Sequence, residues 1–69
     1  MYYIKRKEDG LYPYVFMCGE GWGCDYVKHE ERNRMTLGFE EWVQADNYLG
    51  YLVNEYYLED EYLIVFEEN

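Results

Sequence analysis

Positive charge is missing from the whole second half of this chain. Residues 35–69 contain nine acidic residues and no lysine or arginine, whereas residues 1–34 hold six acids and six bases. The net charge of −9 therefore arises entirely in the second half. Because like charges repel each other, a compact domain that carries them gives up some stability. Such an asymmetry points to a partner of opposite charge and is no indicator of the fold.

Long apolar segments are also missing, and this absence limits where we expect the protein to act. No run approaches the ~20 apolar residues that a membrane-spanning helix needs. The amino terminus places Tyr2 and Ile4 before the basic residues 5–7, which is not the order of a secretory signal peptide. We therefore expect a cytoplasmic protein. Its acidic surface is repelled by anionic lipids and by phosphates, so we expect neither a membrane nor a nucleic acid as a direct ligand.

Cysteine is scarce, and the only two, Cys18 and Cys24, lie on either side of the glycine-rich segment 19–23. Without a secretory signal, two reduced thiols are the default, and a disulfide across the segment is the alternative. Together with His29 these cysteines suggest a metal site, but structural zinc sites use closer cysteine spacing and a fourth ligand. We expect no metal and no cofactor.

Aromatic residues are abundant, with ten tyrosines, three phenylalanines and two tryptophans among 69 residues. Disordered chains combine high net charge with few aromatics, so this composition predicts a folded protein. The length predicts a single domain, residues 1–69, that buries only about 60% of its unfolded surface and has little room for a catalytic cleft. Tyrosine combines an apolar ring with a polar tip, so it serves both a small core and a binding surface.

Two strand-forming segments begin the chain. Residues 2–7 and 11–18 are rich in tyrosine and other strand-forming residues, and Asp9-Gly10 lies between them. Asp-Gly between two such segments is a strong local signal for a β-hairpin. Pro13 cannot donate a hydrogen bond to a neighbouring strand, which favours an edge position for the second strand.

The middle and the end of the chain supply further strand signals. The segment 19–23 predicts a glycine-rich turn, and residues 24–29 are a candidate third strand. Glycine-rich loops also bind phosphates, but no Lys-Ser or Lys-Thr follows, so a nucleotide site is not predicted. Residues 30–34 indicate a polar connection. Residues 61–67 are the strongest strand segment, and the continuous apolar run 63–66 favours a central, buried strand.

A helical period replaces the strand pattern from about Phe39 onward. Apolar side chains recur at helical spacing along one stripe, which Asp46 alone interrupts. The stripe consists of Phe39, Trp42, Val43, Asp46, Leu49, Leu52, Val53 and Tyr56. The opposite face presents Glu40, Gln44, Asn47, Tyr48, Tyr51 and Glu55. This pattern predicts one long amphipathic helix.

Local signals suggest where this helix begins and where it is weakest. Thr36 or Gly38 is a candidate for the amino-terminal cap. Glu40 and Glu41 then lie in the first turn, where the helix dipole favours acids. Gly50 lies in the middle of the pattern, so the helix is expected to end or bend near it. The elements together predict an α+β fold. In it, a small antiparallel β-sheet (an N-terminal hairpin, the third strand and the C-terminal strand) carries one packed helix.

The acidic residues do not form a pattern that is typical of catalysis. Glu40-Glu41 and residues 59–61 are neighbours in sequence and mostly face solvent, whereas acid–base pairs need two different environments. His29 has no serine or cysteine partner at a recognisable spacing, so no nucleophile is paired with a base. We therefore predict a binding protein rather than an enzyme.

The same acids suit contact with a basic channel that normally holds nucleic acid. Carboxylates form charge-assisted hydrogen bonds with arginine and lysine, and opposite potentials accelerate the encounter. Tyrosines between the acids supply desolvated anchors. The predicted partner-binding residues are Glu40, Glu41, Tyr48, Tyr51, Glu55, Glu59, Asp60, Glu61, Glu67 and Glu68. Solubility is the other explanation for the acids, although a surface that serves solubility normally mixes both signs.

In size, acidity and tyrosine content the chain resembles the small inhibitor proteins that phages encode. These include nucleic-acid mimics that block restriction enzymes or uracil-DNA glycosylase, and the anti-CRISPR proteins. The resemblance covers composition along the whole chain and assigns no role to any residue, because these inhibitors belong to many unrelated families. It implies that the partner is a host nucleic-acid-processing protein or a CRISPR effector complex. The alternative is a structural or regulatory interaction domain, such as a homodimer, whose acids serve solubility alone.

Overall fold

This computed structural model describes residues 1–32 and 36–68. Their regular structure consists of four strands, a 3₁₀ turn and one α-helix. In chain order the elements are β1 (Tyr2–Arg6), β2 (Tyr12–Cys18), β3 (Gly21–Val27), the 3₁₀ turn (His29–Glu31), α1 (Trp42–Tyr56) and β4 (Tyr62–Phe66). Strand β1 pairs with β4 and β2 pairs with β3, both antiparallel. This arrangement confirms the predicted α+β class. The predicted polar connection begins with the 3₁₀ turn, and its residues 33 and 34 lie outside the described residues.

The first two strands do not pair with each other, so the predicted amino-terminal hairpin is wrong. The turn between them does form, because Gly10 N–H donates to Arg6 O at 2.8 Å and Arg6 N–H donates to Leu11 O at 2.7 Å. Beyond this turn the two strands separate, and β1 pairs with β4 in a register that places Tyr2 opposite Phe66. Asp-Gly correctly indicated a turn, but side chains far away in the sequence decide which strand β1 pairs with.

The β-hairpin of the structure is β2–β3, closed by a two-residue turn that starts at Gly19. Gly19 has a φ of 63°, a conformation that glycine adopts without the steric cost that other residues meet. Strand β3 begins at Gly21, so most of the predicted glycine-rich turn is in fact strand. The ring of Phe16 on β2 covers Gly23, where an added Cβ would lie only 2.9 Å from it. The Phe16 ring occupies the space that a side chain at position 23 would need.

Strand β1, rather than β4, takes the central position. It pairs with β4 along one edge, and on its other edge Tyr2 exchanges hydrogen bonds of 2.6 and 2.9 Å with Phe39. Strand β4 has β1 as its only strand neighbour within the described residues and is therefore an edge strand. Leu63 and Phe66 are accordingly 46% and 62% exposed, so the prediction that the whole apolar run 63–66 is buried is wrong.

Two small clusters of buried side chains lie on the two sides of β1. On one side Tyr3 packs with Tyr12 of the β2–β3 hairpin. On the other side Ile4 packs with Ala45 and Leu52 of α1. Successive residues of a strand point to opposite faces, so Tyr3 and Ile4 connect β1 to the hairpin and to the helix respectively.

The amino-terminal cap of α1 is Glu41, so neither Thr36 nor Gly38 has this role. The backbone N–H of Glu41 donates to Gln44 Oε1 at 3.1 Å, which satisfies a polar group that has no partner inside the helix. Glu40 and Glu41 therefore precede the helix, and the prediction that they lie in its first turn is wrong. The cap signal was a Glu–Gln pair three residues apart, which is less familiar than a Ser or Thr cap.

The helix does not end at Gly50 but continues to Tyr56. Apart from the adjacent residues and the helix's own backbone, no atom lies within 4 Å of the position that a Cβ at Gly50 would take. Gly50 therefore lies on an open face of the helix. The helix stops at Tyr57, whose φ of 53° and ψ of 42° are left-handed. Within the described residues, no helix has the length and apolar character needed to cross a membrane.

The buried face of α1 is rotated relative to the predicted stripe. Ala45 and Leu52 are fully buried, and Tyr48 is half-buried although the pattern assigned it to the outer face. Trp42 and Val43 of the predicted stripe are instead 51% and 52% exposed. Ala45 has a small side chain, which lets the helix approach the strand closely. The predicted stripe contained only large apolar residues and Asp46, so it did not include Ala45.

Candidate interaction surface

Four predicted contact acids are exposed around the helix: Glu40, Glu41, Glu55 and Glu59, here called the helix-flanking acids. None of the lysine and arginine side chains within residues 1–32 forms an ion pair with these carboxylates. The first two precede α1, and the last two lie at its carboxyl end. Because α1 has 15 residues, the two pairs are about 20 Å apart along its axis. They form an acidic border at both ends of the helix.

The predicted contact acids in the turn before β4 have basic partners within the chain. Arg6 Nη1 lies 3.4 Å from Asp60 Oδ2, and Lys7 Nζ lies 3.6 Å from Glu61 Oε2. Arg6 Nε also donates to Asp9 Oδ1 at 3.0 Å, and this guanidinium holds the pKa of Asp9 below its usual value. The pairing of β1 with β4 brings these groups together, because it places Arg6 opposite Tyr62. Their charge is partly neutralised on folding.

Glu67 lies inside a polar network at the carboxyl end of β4. Its Oε1 accepts a hydrogen bond of 2.6 Å from the Tyr12 hydroxyl and lies 3.5 Å from Arg32 Nε. His29 Nδ1 is 3.1 Å from the same hydroxyl and 3.4 Å from Glu67 Oε2. Arg32 also donates to the backbone oxygens of His29 and Glu68, at 3.1 and 3.0 Å. Glu67 therefore binds within the protein, whereas the Glu68 side chain is exposed.

Two phenols belong to this strand region, of which Tyr12 is buried and Tyr62 is half-buried. Burial, together with the hydrogen bond to Glu67, raises the pKa of Tyr12 far above its usual value. Burial also raises the pKa of Tyr62, whose hydroxyl lies 2.5 Å from that of Tyr26. Both phenols therefore keep their protons at neutral pH and act as neutral hydrogen-bonding groups.

The predicted contact tyrosines, Tyr48 and Tyr51, line a cavity of about 420 Å³ between α1 and the β2–β3 hairpin. Val15 and Trp22 of the hairpin and Tyr56 of the helix complete its lining, and we call this cavity the aromatic cleft. The rings of Tyr48 and Tyr51 are nearly stacked, with centroids 5.8 Å apart and an interplanar angle of 29°. Tyr51 and Tyr56 meet nearly at right angles, at 6.4 Å and 81°. The tyrosine rings that line the cleft therefore differ in orientation.

Sequence reasoning missed Trp22 and Tyr56 as candidate site residues. Trp22 was assigned to a turn, but within β3 it lies two residues before Cys24 and so on the same face. Cys24 is directly opposite Val15, which places Trp22 and Val15 on one face of the hairpin. The alternation of side chains between the two faces of β3 is the signal that would have identified Trp22. The three neighbouring glycines favoured a turn instead of a strand at this position.

Cys18 and Cys24 are both free thiols. Cys18 is opposite Gly21 and Cys24 is opposite Val15, three residues further along the ladder and on the other face of the hairpin. Three residues span about 10 Å of strand, which is beyond the Cα separation that a disulfide bridges. The structure therefore excludes the alternative of a disulfide between them. Within residues 1–32 and 36–68, no group of three or more His, Cys, Asp or Glu residues is placed to hold a metal ion.

Comparisons with protein-family models, with curated proteins and with solved structures each gave no match to this chain.

Proposed function

We propose that this protein is a small acidic inhibitor of the phage type. It binds a host nucleic-acid-processing protein or a CRISPR effector complex and blocks the basic surface on which that partner holds nucleic acid. It has no catalytic activity of its own, and it acts in the cytoplasm of an infected bacterium. The helix-flanking acids and the exposed rings of the aromatic cleft make the contact.

The observation that carries this proposal is the different pairing of the acids. Asp60, Glu61 and Glu67 have basic partners within the chain, at 3.4, 3.6 and 3.5 Å. The helix-flanking acids are exposed and form no such pair with the bases of residues 1–32. Exposed carboxylates that form no ion pair with these bases can form charge-assisted hydrogen bonds with the arginines and lysines of another protein.

The spacing of these acids also supports a nucleic-acid-binding surface as the target. Such surfaces are lined with arginine and lysine over the length of the strand that they hold. The two pairs of helix-flanking acids, about 20 Å apart along the helix, match an extended groove better than a single basic pocket. Opposite potentials over that length steer the encounter and make it sensitive to salt.

The experiment has two stages. The purified protein is immobilised and exposed to a nuclease-treated bacterial lysate, and retained proteins are identified by mass spectrometry. The retained protein is then purified and loaded with a fluorescently labelled oligonucleotide that it binds. Addition of the present protein should displace the oligonucleotide, as measured by fluorescence anisotropy, with an apparent affinity that falls steeply as salt rises. A ternary complex, or a retained protein without affinity for nucleic acid, would contradict the proposal.

A second candidate function, self-association, rests on the exposed apolar residues. Trp42, Val43 and Val53 lie near one face of α1 and are 51%, 52% and 37% exposed, and Leu63 and Phe66 are exposed on the edge strand β4. In this alternative the acids only keep the assembly soluble. Light scattering separates the two functions, because a stable dimer without affinity for basic proteins favours self-association and a monomer that binds them favours inhibition.

A further inference from the structure

The aromatic cleft has a floor and a rim that differ in exposure. Tyr48, Tyr56 and Val15 are half-buried, whereas Trp22 and Tyr51 are 62% and 49% exposed. The cleft is therefore open to solvent at the two rings of the rim. Its volume of about 420 Å³ falls in the size range of small-ligand sites, about 300–1,000 Å³.

The ring faces of the cleft are the groups that recognise cations. The face of an aromatic ring carries negative partial charge, and arginine, lysine and quaternary ammonium groups bind over it. Tyrosine phenols are neutral at neutral pH, and burial raises the pKa of Tyr48 and of Tyr56 further, so their rings keep this character to higher pH. Tyr48 is held in place from behind by Phe39, whose ring centroid lies 5.4 Å away. The ring of Tyr48 is thus positioned before any ligand arrives.

The chain already uses cations over tyrosine rings, but elsewhere. Arg6 lies 3.8 Å from the centre of the Tyr26 ring, and Arg32 lies 5.0 Å from that of Tyr3. Lys5 lies 5.7 Å from the ring centre of Tyr12. None of these rings belongs to the cleft, and no base within residues 1–32 lies over a cleft ring. Within residues 1–32 and 36–68, the rings of the cleft therefore have no cation over them.

The electrostatic surroundings favour the same ligand. Glu55 follows Tyr51 by four residues, so the two side chains are neighbours on the surface of α1. Both Glu55 and Glu20, which lies in the hairpin turn two residues before Trp22, are exposed. The net charge of −9 raises the local concentration of cations near the molecule.

We propose that the aromatic cleft binds an organic cation, and that its ligand is an arginine side chain of the basic partner. This assignment deepens the proposed function and rests on it only for the source of the arginine. Trp22 and Tyr51 supply the ring faces at the entrance, Tyr48 and Tyr56 supply those of the floor, and Glu55 provides the nearby negative charge. The cleft thereby adds desolvated binding to a contact that the helix-flanking acids alone make only through exposed charge.

The test uses a pair of ligands that differ in charge and little in shape: N-acetyl-arginine amide and N-acetyl-citrulline amide. Replacing Trp42 with phenylalanine leaves Trp22 as the only indole, because the chain has two tryptophans. Trp42 is not part of the cleft, so this background reports on the cleft through its fluorescence. We expect a saturable change of Trp22 emission with the arginine ligand, and an affinity for the citrulline ligand at least about threefold lower.

Matched variants distinguish recognition by aromatic rings from nonspecific apolar binding. In the same background, Tyr51→Leu keeps apolar volume but removes a ring, and we expect an affinity at least about threefold lower, whereas Tyr51→Phe retains binding. Phe66→Leu removes an exposed ring outside the cleft and should leave the affinity unchanged. Circular dichroism of each variant verifies that the fold is intact. Equal responses to arginine and citrulline, or no saturable response to either, would overturn the proposal.

Two further results keep this proposal distinct from the proposed function. Choline is tested as a small quaternary ammonium, and binding of choline without binding of the arginine ligand would overturn the assignment to an arginine side chain. Binding of the arginine ligand by a protein that displaces no oligonucleotide would support the cleft while contradicting the inhibitor function. Displacement of oligonucleotide with equal responses to arginine and citrulline would support the inhibitor function and overturn the cleft.

Discussion

The acids of the strand region and the acids around the helix have opposite surroundings. Next to β4, Asp60 and Glu61 lie 3.4 and 3.6 Å from Arg6 and Lys7, and Glu67 is held by Tyr12 and neighbouring groups. The helix-flanking acids have no such partners among the bases of residues 1–32. The second half of the sequence contains only acidic charges, but on the folded surface some of these acids lie beside bases and others do not.

This difference follows from topology. The antiparallel pairing of β1 with β4 brings the basic end of β1 beside the acids that precede β4. The helix packs on β1 through Ala45 and Leu52, and its flanking acids lie away from that contact. A count of charges along the chain therefore overstates the acidity of the region around β4. We infer that the helical side, rather than the whole second half, meets a basic partner.

The largest expected effect is the loss of the buried network. Glu67→Ala leaves the Tyr12 hydroxyl and the Arg32 side chain, which is 6% exposed, without their carboxylate partner. We expect a loss of about 2–3 kcal/mol of unfolding free energy, because buried polar groups without partners are costly. The matched change Glu55→Ala removes an exposed acid and should cost no more than about 0.5 kcal/mol.

Urea unfolding followed by circular dichroism measures both variants. Similar midpoints for Glu67→Ala and Glu55→Ala would show that the strand acids are no more engaged than the helical ones, and the comparison between the two regions would fail.

Alkaline pH should weaken the strand region next. Tyrosines of the unfolded chain lose their protons near pH 10, whereas burial raises the folded-state pKa of Tyr12 and Tyr62 above that value. The unfolded state thus releases protons that the folded state keeps, so the contribution of these two phenols to stability is complete below about pH 10 and falls above it. Each pH unit over which one such phenol stays protonated only in the folded state costs about 1.4 kcal/mol.

Unfolding free energies measured by urea at a series of pH values, with tyrosinate absorbance as a second readout, test this prediction. Tyr12→Phe should show a shallower decline than the parent protein. A decline that is unchanged in this variant would contradict the assignment to these phenols.

Sequence reasoning reached the element types but not their partners. The helix, the turn at Asp9-Gly10 and the final strand all depend on local signals, and each is present. Which strand pairs with β1 depends on contacts between distant residues, so the predicted hairpin failed. The glycines of β3 resemble a turn in the sequence, and the ring of Phe16 that covers Gly23 comes from the neighbouring strand.

The candidate site was predictable to a similar degree. Helical spacing placed Tyr51 and Glu55 on an outer face, where the structure has them exposed. The internal engagement of Glu67 requires Tyr12 and Arg32, which lie 55 and 35 residues earlier in the sequence, so no local pattern indicated it. The aromatic cleft likewise needs a strand residue, Trp22, beside helical ones.

A smaller effect is expected from Gly50, and it tests the helical side alone. Gly50→Ala should stabilise the protein by about 1 kcal/mol, because glycine in a helix interior is less favourable than alanine by about that amount. Apart from the adjacent residues and the helix's own backbone, no atom lies within 4 Å of the new Cβ, so no contact with the rest of the protein opposes the gain. Thermal and urea unfolding measure the change, and an unchanged or lower stability would show that the helix is not continuous through this position.

The smallest expected effect lies at the carboxyl end of the helix. Tyr57 is left-handed, with a φ of 53°, and its side chain is 86% exposed. Tyr57→Gly relieves a backbone cost of about 1–2 kcal/mol but adds freedom to the unfolded chain, so we expect a net gain of about 0.5 kcal/mol. Tyr57→Ala keeps the backbone cost and should give no gain. Equal stabilities of the two variants would contradict this account of the helix end.

The design of the decisive experiment follows from the comparison between the regions. Asp60 and Glu61 are left unchanged because they contact Arg6 and Lys7, and Glu41 is left unchanged because it caps the helix. Two triple variants then carry equal charge changes at exposed positions on different parts of the molecule. The helical-side variant is Glu40→Lys with Glu55→Lys and Glu59→Lys, and the control is Glu8→Lys with Glu30→Lys and Glu31→Lys.

The most direct test of the central claim is the concentration of each variant that displaces a labelled oligonucleotide from the protein retained from lysate. The helical-side variant should need at least about tenfold more protein than the parent, because three exposed pairs are each worth up to about 1 kcal/mol. The control variant, with the same net charge, should stay within about threefold of the parent. Equal losses in the two variants would show that net charge alone drives binding, and would contradict the claim that the helical side makes the contact.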